Sequence, residues 1–121
     1  MEKLTNKEEE VMQIIWQLEK AFVNDIIEKM PEPKPHYNTL STIVRILEEK
    51  KFVAHKSYGK SHQYYPIVSL EEYRNIFVSD SIKKYFDNSI SNMVNYFVKE
   101  EKLTTEEISE LLEIIERNSK K

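Results

Sequence analysis

Polar and apolar positions divide the stretch HYNTLSTIVRIL, residues 36–47, into two faces at helical spacing. At 3.6 residues per turn, one side becomes a core-facing apolar stripe of Leu40, Ile43, Val44 and Leu47. The other side carries Asn38, Ser41, Thr42 and Arg45. A merely solvated face usually carries Glu and Lys, which are better helix formers. Short hydroxyls, an amide and an arginine are instead the side chains that read base edges in DNA.

Two more helical patterns precede this stretch. Thr5 or Asn6 can cap the first, and an acidic residue three positions on completes a capping box. Apolar residues then repeat at i, i+3, i+4 and i+7 over residues 11–18. The second helix is shorter, over residues 23–30, and the prolines of PEPKP, residues 31–35, end it.

The period changes to two after the third helix, which indicates a β-hairpin. Two strand-like arms, residues 53–58 and 62–67, flank Gly59 and Lys60. Glycine at the first turn position favours a type II′ turn, because its φ can be positive without a Cβ penalty. Three helices followed by a hairpin predict a winged helix-turn-helix.

The imidazoles and tyrosines near the hairpin have plain structural interpretations. In the register of this turn, His62 lies opposite Ser57 and His55 opposite Tyr64, so the imidazoles are not directly paired and no metal site is predicted. Alternatively, the tyrosines form a stacking platform for the bases of single-stranded nucleic acid. We expect most of them to pack the hairpin onto the core, whereas Tyr37 lies at the polar edge of its helix.

The chain is helical again beyond Pro66, with breaks near residues 87–89 and before TTEE, residues 104–107. About 50 residues in isolation form a poor core. The apolar residues of this segment are most simply buried against the same segment of a second chain, which predicts a two-fold dimer. The predicted interface consists of Phe77, Ile82, Tyr85, Phe86, Ile90, Met93, Val94, Phe97, Ile108, Leu111, Leu112 and Ile115. The alternative is an intramolecular core packed against the first helix.

The predicted fold class is mainly α with a small β-hairpin wing. Residues 1–67 are assigned to a winged-helix DNA-binding domain, and residues 68–121 to a helical dimerisation domain.

Composition excludes several kinds of chemistry. The absence of cysteine excludes disulfides, thiolate metal sites and a cysteine nucleophile. A single glycine leaves no glycine-rich phosphate loop or dinucleotide fingerprint. Carboxylate pairs such as residues 48–49 and 106–107 are expected to be solvated, so no enzyme activity, cofactor or metal is predicted. With no long apolar run and no leader at Met1, we expect a cytoplasmic location without membrane insertion.

Charge is unevenly distributed along the chain. The net charge is −3, yet residues 34–64 carry six Lys and Arg against two Glu, together with all three histidines. Residues 68–121 carry 8 basic and 11 acidic side chains. A basic window in an acidic chain indicates a surface that faces a polyanion.

Several segments resemble the BlaI/MecI/CopY (penicillinase repressor) family of winged-helix regulators. EEEVMQIIWQLEKAFVNDIIEKM is similar to its first two helices, and NTLSTIVRILEEKKFVAHK to its recognition helix and first wing strand. QYYPIV resembles the end of its wing, and NYFVKEEKLTTEEISELLEII its dimerisation helices. The resemblance implies a homodimeric repressor of a palindromic operator, released when a membrane-bound sensor metalloprotease triggers cleavage in the second half.

The chain departs from the family pattern at specific places. The family usually has an arginine where this chain has Ile46, with Arg45 one position earlier. The glycine that often ends this helix is Lys51, so the helix must end differently or with strain. The Asn-Phe cleavage junction corresponds to Tyr96-Phe97, and the cysteine-rich tail of the copper-responsive members is absent.

The predicted DNA contacts fall on the third helix and on the hairpin. Asn38 suits adenine, Arg45 suits guanine or a phosphate, and Thr39 and Thr42 suit thymine. In winged-helix proteins the hairpin usually contacts the sugar-phosphate backbone of the DNA. The full predicted set is His36, Tyr37, Asn38, Thr39, Ser41, Thr42, Arg45, Lys56, Lys60, Ser61 and His62.

Two other functions fit the same fold. A winged-helix module can bind protein and never DNA, because fold alone does not decide function. A regulator of the MarR or PadR kind would hold a small ligand among its dimer helices.

Overall fold

The computed structural model describes residues 3–119, with the backbone alone for residues 115–119. Within that range the chain forms six helices and one antiparallel hairpin. In order they are α1 (Asn6–Leu18), α2 (Val23–Lys29), α3 (Tyr37–Glu49), β1 (Val53–Tyr58), β2 (Ser61–Pro66), α4 (Leu70–Tyr85), α5 (Ile90–Lys99) and α6 (Thr105–Ser119). This order confirms the predicted fold class. The chain forms two compact units, Met1–Arg74 and Asn75–Lys121, and the division into domains after residue 67 stays a prediction.

The buried core belongs to the first unit. All buried apolar side chains among the described residues lie from Leu4 to Val68. The predicted stripe of α3 is part of this core, since Leu40, Val44 and Leu47 are fully buried and Ile43 packs against them. Burial of this stripe turns the polar face of α3 outward.

The start of α1 is tied to the end of α3 by a buried ion pair. Thr5 and Glu8 form the predicted capping box, because the Thr5 hydroxyl accepts from the Glu8 amide and the Glu8 carboxylate accepts from the Thr5 amide. Glu8 Oε1 also lies 2.6 Å from Lys50 Nζ. Burial raises the pKa of Glu8, but the bonds from Lys50 and Thr5 outweigh it, so the pKa is below its ordinary 4.5.

We expect Glu8→Gln to destabilise the protein at neutral pH by about 1–3 kcal/mol, since Gln keeps the capping box but removes the counter-charge of the Lys50 ammonium, which then retains its bond to the Lys3 carbonyl oxygen. A carboxylate with a lowered folded-state pKa contributes stability above its unfolded-state pKa and loses it as pH falls through the folded-state value. The wild-type free energy of unfolding must therefore fall more steeply than that of Glu8→Gln below about pH 4.5. Urea titrations across pH measure both slopes, and parallel slopes would contradict the ion pair.

The end of α3 shows the strain that the replacement of glycine predicts. Lys51 has a φ of 67°. Its amide donates to Glu48 O at 3.0 Å, and the Phe52 amide donates to Leu47 O at 2.9 Å. These two bonds form a Schellman motif, in which a left-handed residue usually is glycine.

Lys51→Gly is expected to stabilise the protein by about 1 kcal/mol, because glycine removes the steric cost of the left-handed conformation. Lys51→Ala, which keeps a Cβ, is the matched control and should give no comparable gain. Thermal or urea unfolding measures the difference. Destabilisation by glycine would show that the lysine side chain matters more than the backbone strain.

The hairpin has the predicted register and turn. Tyr58 pairs with Ser61 around Gly59 and Lys60, and β2 thus begins one residue earlier than expected. Gly59 has a φ of 63° and Lys60 does not share the positive φ, as a type II′ turn requires. Ala21 and Tyr64 exchange two backbone hydrogen bonds at 2.8 Å, a bridge that the sequence pattern did not predict. This bridge attaches the hairpin to the segment between α1 and α2.

The second unit contains helices whose apolar residues are incompletely covered. The predicted breaks are present, with positive φ at Asp87 and Asn88 and a cap from Ser89 to α5. Of the predicted interface residues, Phe77, Tyr85, Ile90, Leu111 and Leu112 are exposed. Ile82, Phe86, Met93, Val94, Phe97 and Ile108 are half-buried, and the Ile115 side chain lies outside the described residues. Among the described residues, none of the helices has an apolar stretch of the length that a membrane span needs.

Candidate nucleic-acid interface

A cleft of about 550 Å³ lies between the outward face of α3, the hairpin and the start of α2. We call the hairpin β1–β2 the wing, and this opening the wing cleft. Six of the predicted DNA-contacting residues line it, namely Tyr37, Ser41, Arg45, Lys60, Ser61 and His62. Residues separated by one turn on α3 thus meet the tip of the wing, as expected if both contact the same ligand.

The five other predicted contacts are exposed but do not line the cleft. They are His36, Asn38, Thr39, Thr42 and Lys56. The Thr42 hydroxyl donates to the Asn38 carbonyl oxygen at 2.9 Å, which leaves its lone pairs available to a base donor. His36 begins α3 without a side-chain hydrogen bond to the helix. The first amides of α3 are therefore not capped by His36 and suit a phosphate oxygen.

Residues at the start of α2 and two tyrosines of the wing complete the cleft, and none of them is among the predicted DNA contacts. Phe22, Val23, Asn24, Asp25, Tyr58 and Tyr64 also line it. The Phe22 and Tyr58 rings meet edge to face, with centroids 5.9 Å apart. The adjacency of α2 and α3 in a helix-turn-helix is the feature from which the α2 residues were predictable.

The prediction that most tyrosines pack the wing onto the core is wrong. Tyr64 is buried, but Tyr58 and Tyr65 are 49% and 43% exposed. Lys56 Nζ lies 5.5 Å from the centre of the Tyr58 ring. Tyr37 is exposed as predicted. Side chains alternate between the two faces of a strand, and the register places Tyr58 and Tyr65 on the face opposite to that of Tyr64. Only Tyr64 therefore faces the core.

Two of the six basic residues in the positive window serve the fold. Lys34 Nζ donates to the carbonyl oxygens of Ile27, Glu28 and Met30 at the end of α2. Lys50 is the partner of Glu8. Arg45, Lys51, Lys56 and Lys60 are exposed. The positive charge available to a ligand is therefore more concentrated around the wing than the sequence count indicated.

The wing histidines have the predicted backbone register, but their rings are in contact. His55 pairs with Tyr64 and His62 with Ser57. The two imidazoles nevertheless stack diagonally, with centroids 4.0 Å apart and planes 9° apart. Glu48, which we expected to be solvated, accepts from His55 Nδ1 at 2.6 Å. No cluster of three metal-ligating side chains occurs among the described residues.

The Tyr64 side chain is buried and lines the wing cleft together with His62. Burial raises the pKa of Tyr64, and the negative charge of Glu48 raises it further. The phenol is thus protonated at neutral pH and adds no negative charge beside the basic residues of the cleft.

The chain has clear relatives among known proteins. The penicillinase repressor family matches residues 4–117. The methicillin resistance regulatory protein MecI of Staphylococcus aureus (strain N315) is 31% identical over 116 residues, which are 95% of this chain and 94% of that protein. The penicillinase repressor of Bacillus licheniformis is 25% identical over 122 residues, covering 98% of this chain and 95% of that protein. A structure titled CopR repressor superposes with a TM-score of 0.46 and 28% identity over 55% of this chain and 97% of that chain.

The family match covers nearly the whole chain and confirms the resemblance found in the sequence. The family consists of transcriptional repressors, which are not enzymes. The chain belongs to the penicillinase repressor family.

Proposed function

We propose that the protein is a homodimeric repressor that binds a palindromic DNA operator through α3 and the wing. The observation that carries this proposal is the convergence of Arg45, Ser41 and Tyr37 of α3 with Lys60, Ser61 and His62 of the wing on one cleft. Base-reading and phosphate-binding side chains thereby share one surface, as operator recognition requires.

In this proposal α3 enters the major groove and the wing lies along the backbone. Asn38 is placed to bind adenine in two hydrogen bonds, and Arg45 to bind guanine or a phosphate. Thr39 and Thr42 offer methyl groups to thymine. Lys56, Lys60, Ser61 and His62 contact phosphates, which fix the register without reading sequence.

Neutralising Lys60 tests the phosphate contact of the wing. For Lys60→Gln we expect the slope of log K against log salt to flatten by about one unit, because one fewer counterion is released. Lys7→Gln is the matched control, since Lys7 is an exposed lysine near the start of α1 and pairs with Glu10. Anisotropy titrations of a fluorescent duplex give the slopes. Equal slopes for Lys60→Gln and the wild type would place Lys60 outside the interface.

The dimer is proposed from the apolar residues of the second unit. None of the described residues of α4 or α5 is buried, although both helices are rich in Ile, Phe, Tyr and Val. A second copy covers such surfaces in a two-fold interface. The two α3 helices would then address half-sites about one helical turn, or a multiple of it, apart.

We also propose that the protein is released from the operator by proteolysis or by another signal. In the case of proteolysis, a membrane-bound sensor protease is the partner. The candidate junction, Tyr96-Phe97, lies inside α5. Tyr96 is 47% exposed, and Phe97 is half-buried. Cleavage at this bond requires α5 to open locally, because helical backbone does not present an extended strand.

The stoichiometry on DNA tests the dimer and the palindrome together. The proposal predicts two chains per operator duplex, and footprints on two inverted half-sites. Analytical ultracentrifugation of the complex measures the stoichiometry. One chain per duplex would contradict the dimeric repressor, and binding to protein partners without DNA would favour the interaction module.

A further inference from the structure

Three side chains connect the recognition helix α3 to the DNA-facing edge of the wing. Glu48 of α3 accepts a hydrogen bond from His55 Nδ1 of β1 at 2.6 Å. The His55 ring also stacks on the His62 ring of β2. Their centroids are 4.0 Å apart and their planes are nearly parallel. Of the three side chains, only His62 lines the wing cleft.

The hydrogen bond fixes the orientation of the His55 ring. A carboxylate is an acceptor only, so Nδ1 of His55 carries the proton of this hydrogen bond. The Nδ1 edge of the His55 ring therefore faces α3. The Glu48 and His55 side chains are only 32% and 29% exposed, which limits their alternative rotamers. His62, by contrast, is exposed. Its ring stacks closely on His55 and has a more distant edge contact with Tyr64, whose centroid is 6.3 Å away, so the stack on His55 is the closer of the two contacts.

We propose that Glu48 and His55 are positioning residues, which hold the His62 imidazole in the wing cleft in the orientation that contacts the DNA backbone. This inference rests on the proposed function. A side chain that is ordered before binding loses less conformational entropy on binding, so the connection increases affinity without a direct contact from Glu48.

The sign of the Glu48 effect separates positioning from simple electrostatics. An acidic side chain near DNA repels phosphates, so its removal ordinarily strengthens binding. The charged and titratable groups around the imidazole pair are Arg45 and Tyr37 of α3, Tyr64 of β2, Lys60 of the turn and Asp25 of α2. The Asp25 carboxylate accepts from the Phe22 amide, whereas Glu48 is the acidic group that bonds to an imidazole. Positioning predicts the opposite result, namely weaker binding when the carboxylate is removed.

The experiment compares Glu48→Ala with Glu49→Ala in the full chain, using anisotropy titration of the operator duplex. Glu49 is the exposed next residue of α3 and gives the same change of charge. We expect Glu48→Ala to weaken binding about fivefold, and Glu49→Ala to leave it unchanged or tighter. His62→Ala is expected to weaken binding about tenfold, and adding Glu48→Ala to it to have no further effect.

A spectroscopic readout checks the geometry without DNA. In the wild type, the facing His55 ring shifts the His62 ring protons in the NMR spectrum. Glu48→Ala should move these signals toward those of an unstacked imidazole, whereas Glu49→Ala should not.

Three results would overturn the inference. The first is tighter DNA binding by Glu48→Ala. The second is additivity of the losses of binding free energy caused by Glu48→Ala and His62→Ala. The third is a set of His62 ring-proton shifts that Glu48→Ala leaves unchanged. Each of these leaves the proposed function intact if the wild type still binds its operator. Failure of the wild type to bind any duplex would instead overturn the proposed function and this inference together.

Discussion

Arg45→Ala is expected to weaken operator binding at least tenfold. Arg45 is exposed on α3 and lines the wing cleft together with Ser41 and residues of the wing. A good bidentate contact from arginine to guanine contributes about 1–3 kcal/mol of discrimination, and about 1.4 kcal/mol corresponds to tenfold in affinity. Anisotropy titration with operator and scrambled duplexes measures the loss.

The two duplexes also distinguish the two roles open to Arg45. Loss confined to the operator indicates a base contact, whereas equal loss on both duplexes with a flatter salt slope indicates a phosphate contact. Arg74→Ala is the matched control, since Arg74 is exposed and does not line the cleft. Unchanged affinity of Arg45→Ala would remove this residue from the interface.

Ile90→Glu is expected to convert the protein to a monomer at micromolar concentration and to weaken operator binding at least a hundredfold. Ile90 is 63% exposed in the single chain, so the change leaves the fold of the protomer intact. An acidic residue at the first position of α5 is also favoured by the helix dipole. In a two-fold interface the substitution occurs twice, and each copy buries an unpaired carboxylate.

The loss of DNA affinity follows from the loss of linkage between two recognition helices. Joining two binding modules raises overall affinity by about 10²–10⁴ without any new contact. Asn95→Glu is the matched control, because Asn95 is exposed and helical spacing places it on the side of α5 away from Ile90. Sedimentation equilibrium measures the mass. A dimeric Ile90→Glu, or a monomeric wild type, would contradict the proposed interface.

Local patterns in the sequence predict much of the first unit. The apolar stripe of α3, the capping box of Thr5 and Glu8, and the turn at Gly59 depend on residues within one helical turn or one hairpin. Such features follow from periodicity, capping and φ preference. The strain at Lys51 was predictable for the same reason, because one missing glycine at a helix end has a local cost.

Contacts between distant segments were not predictable from these patterns. Nothing in the periodicity pairs Glu8 with Lys50, 42 residues away, or Ala21 with Tyr64. The diagonal stack of His55 on His62 was missed because the register identifies directly opposed residues, whereas aromatic side chains also reach diagonal neighbours. The number of positive charges in the sequence likewise could not show that Lys34 and Lys50 bind groups of the protein itself.

The most direct test of operator recognition is binding of the full chain to a fluorescent duplex from upstream of its own gene. Anisotropy is measured across a salt series, with a scrambled duplex of equal composition as the control. We predict a preference of about a hundredfold or more for the upstream duplex, within the range of specific repressors. No preference between the duplexes, or no binding even at low salt, would contradict sequence-specific recognition of this region by α3 and the wing.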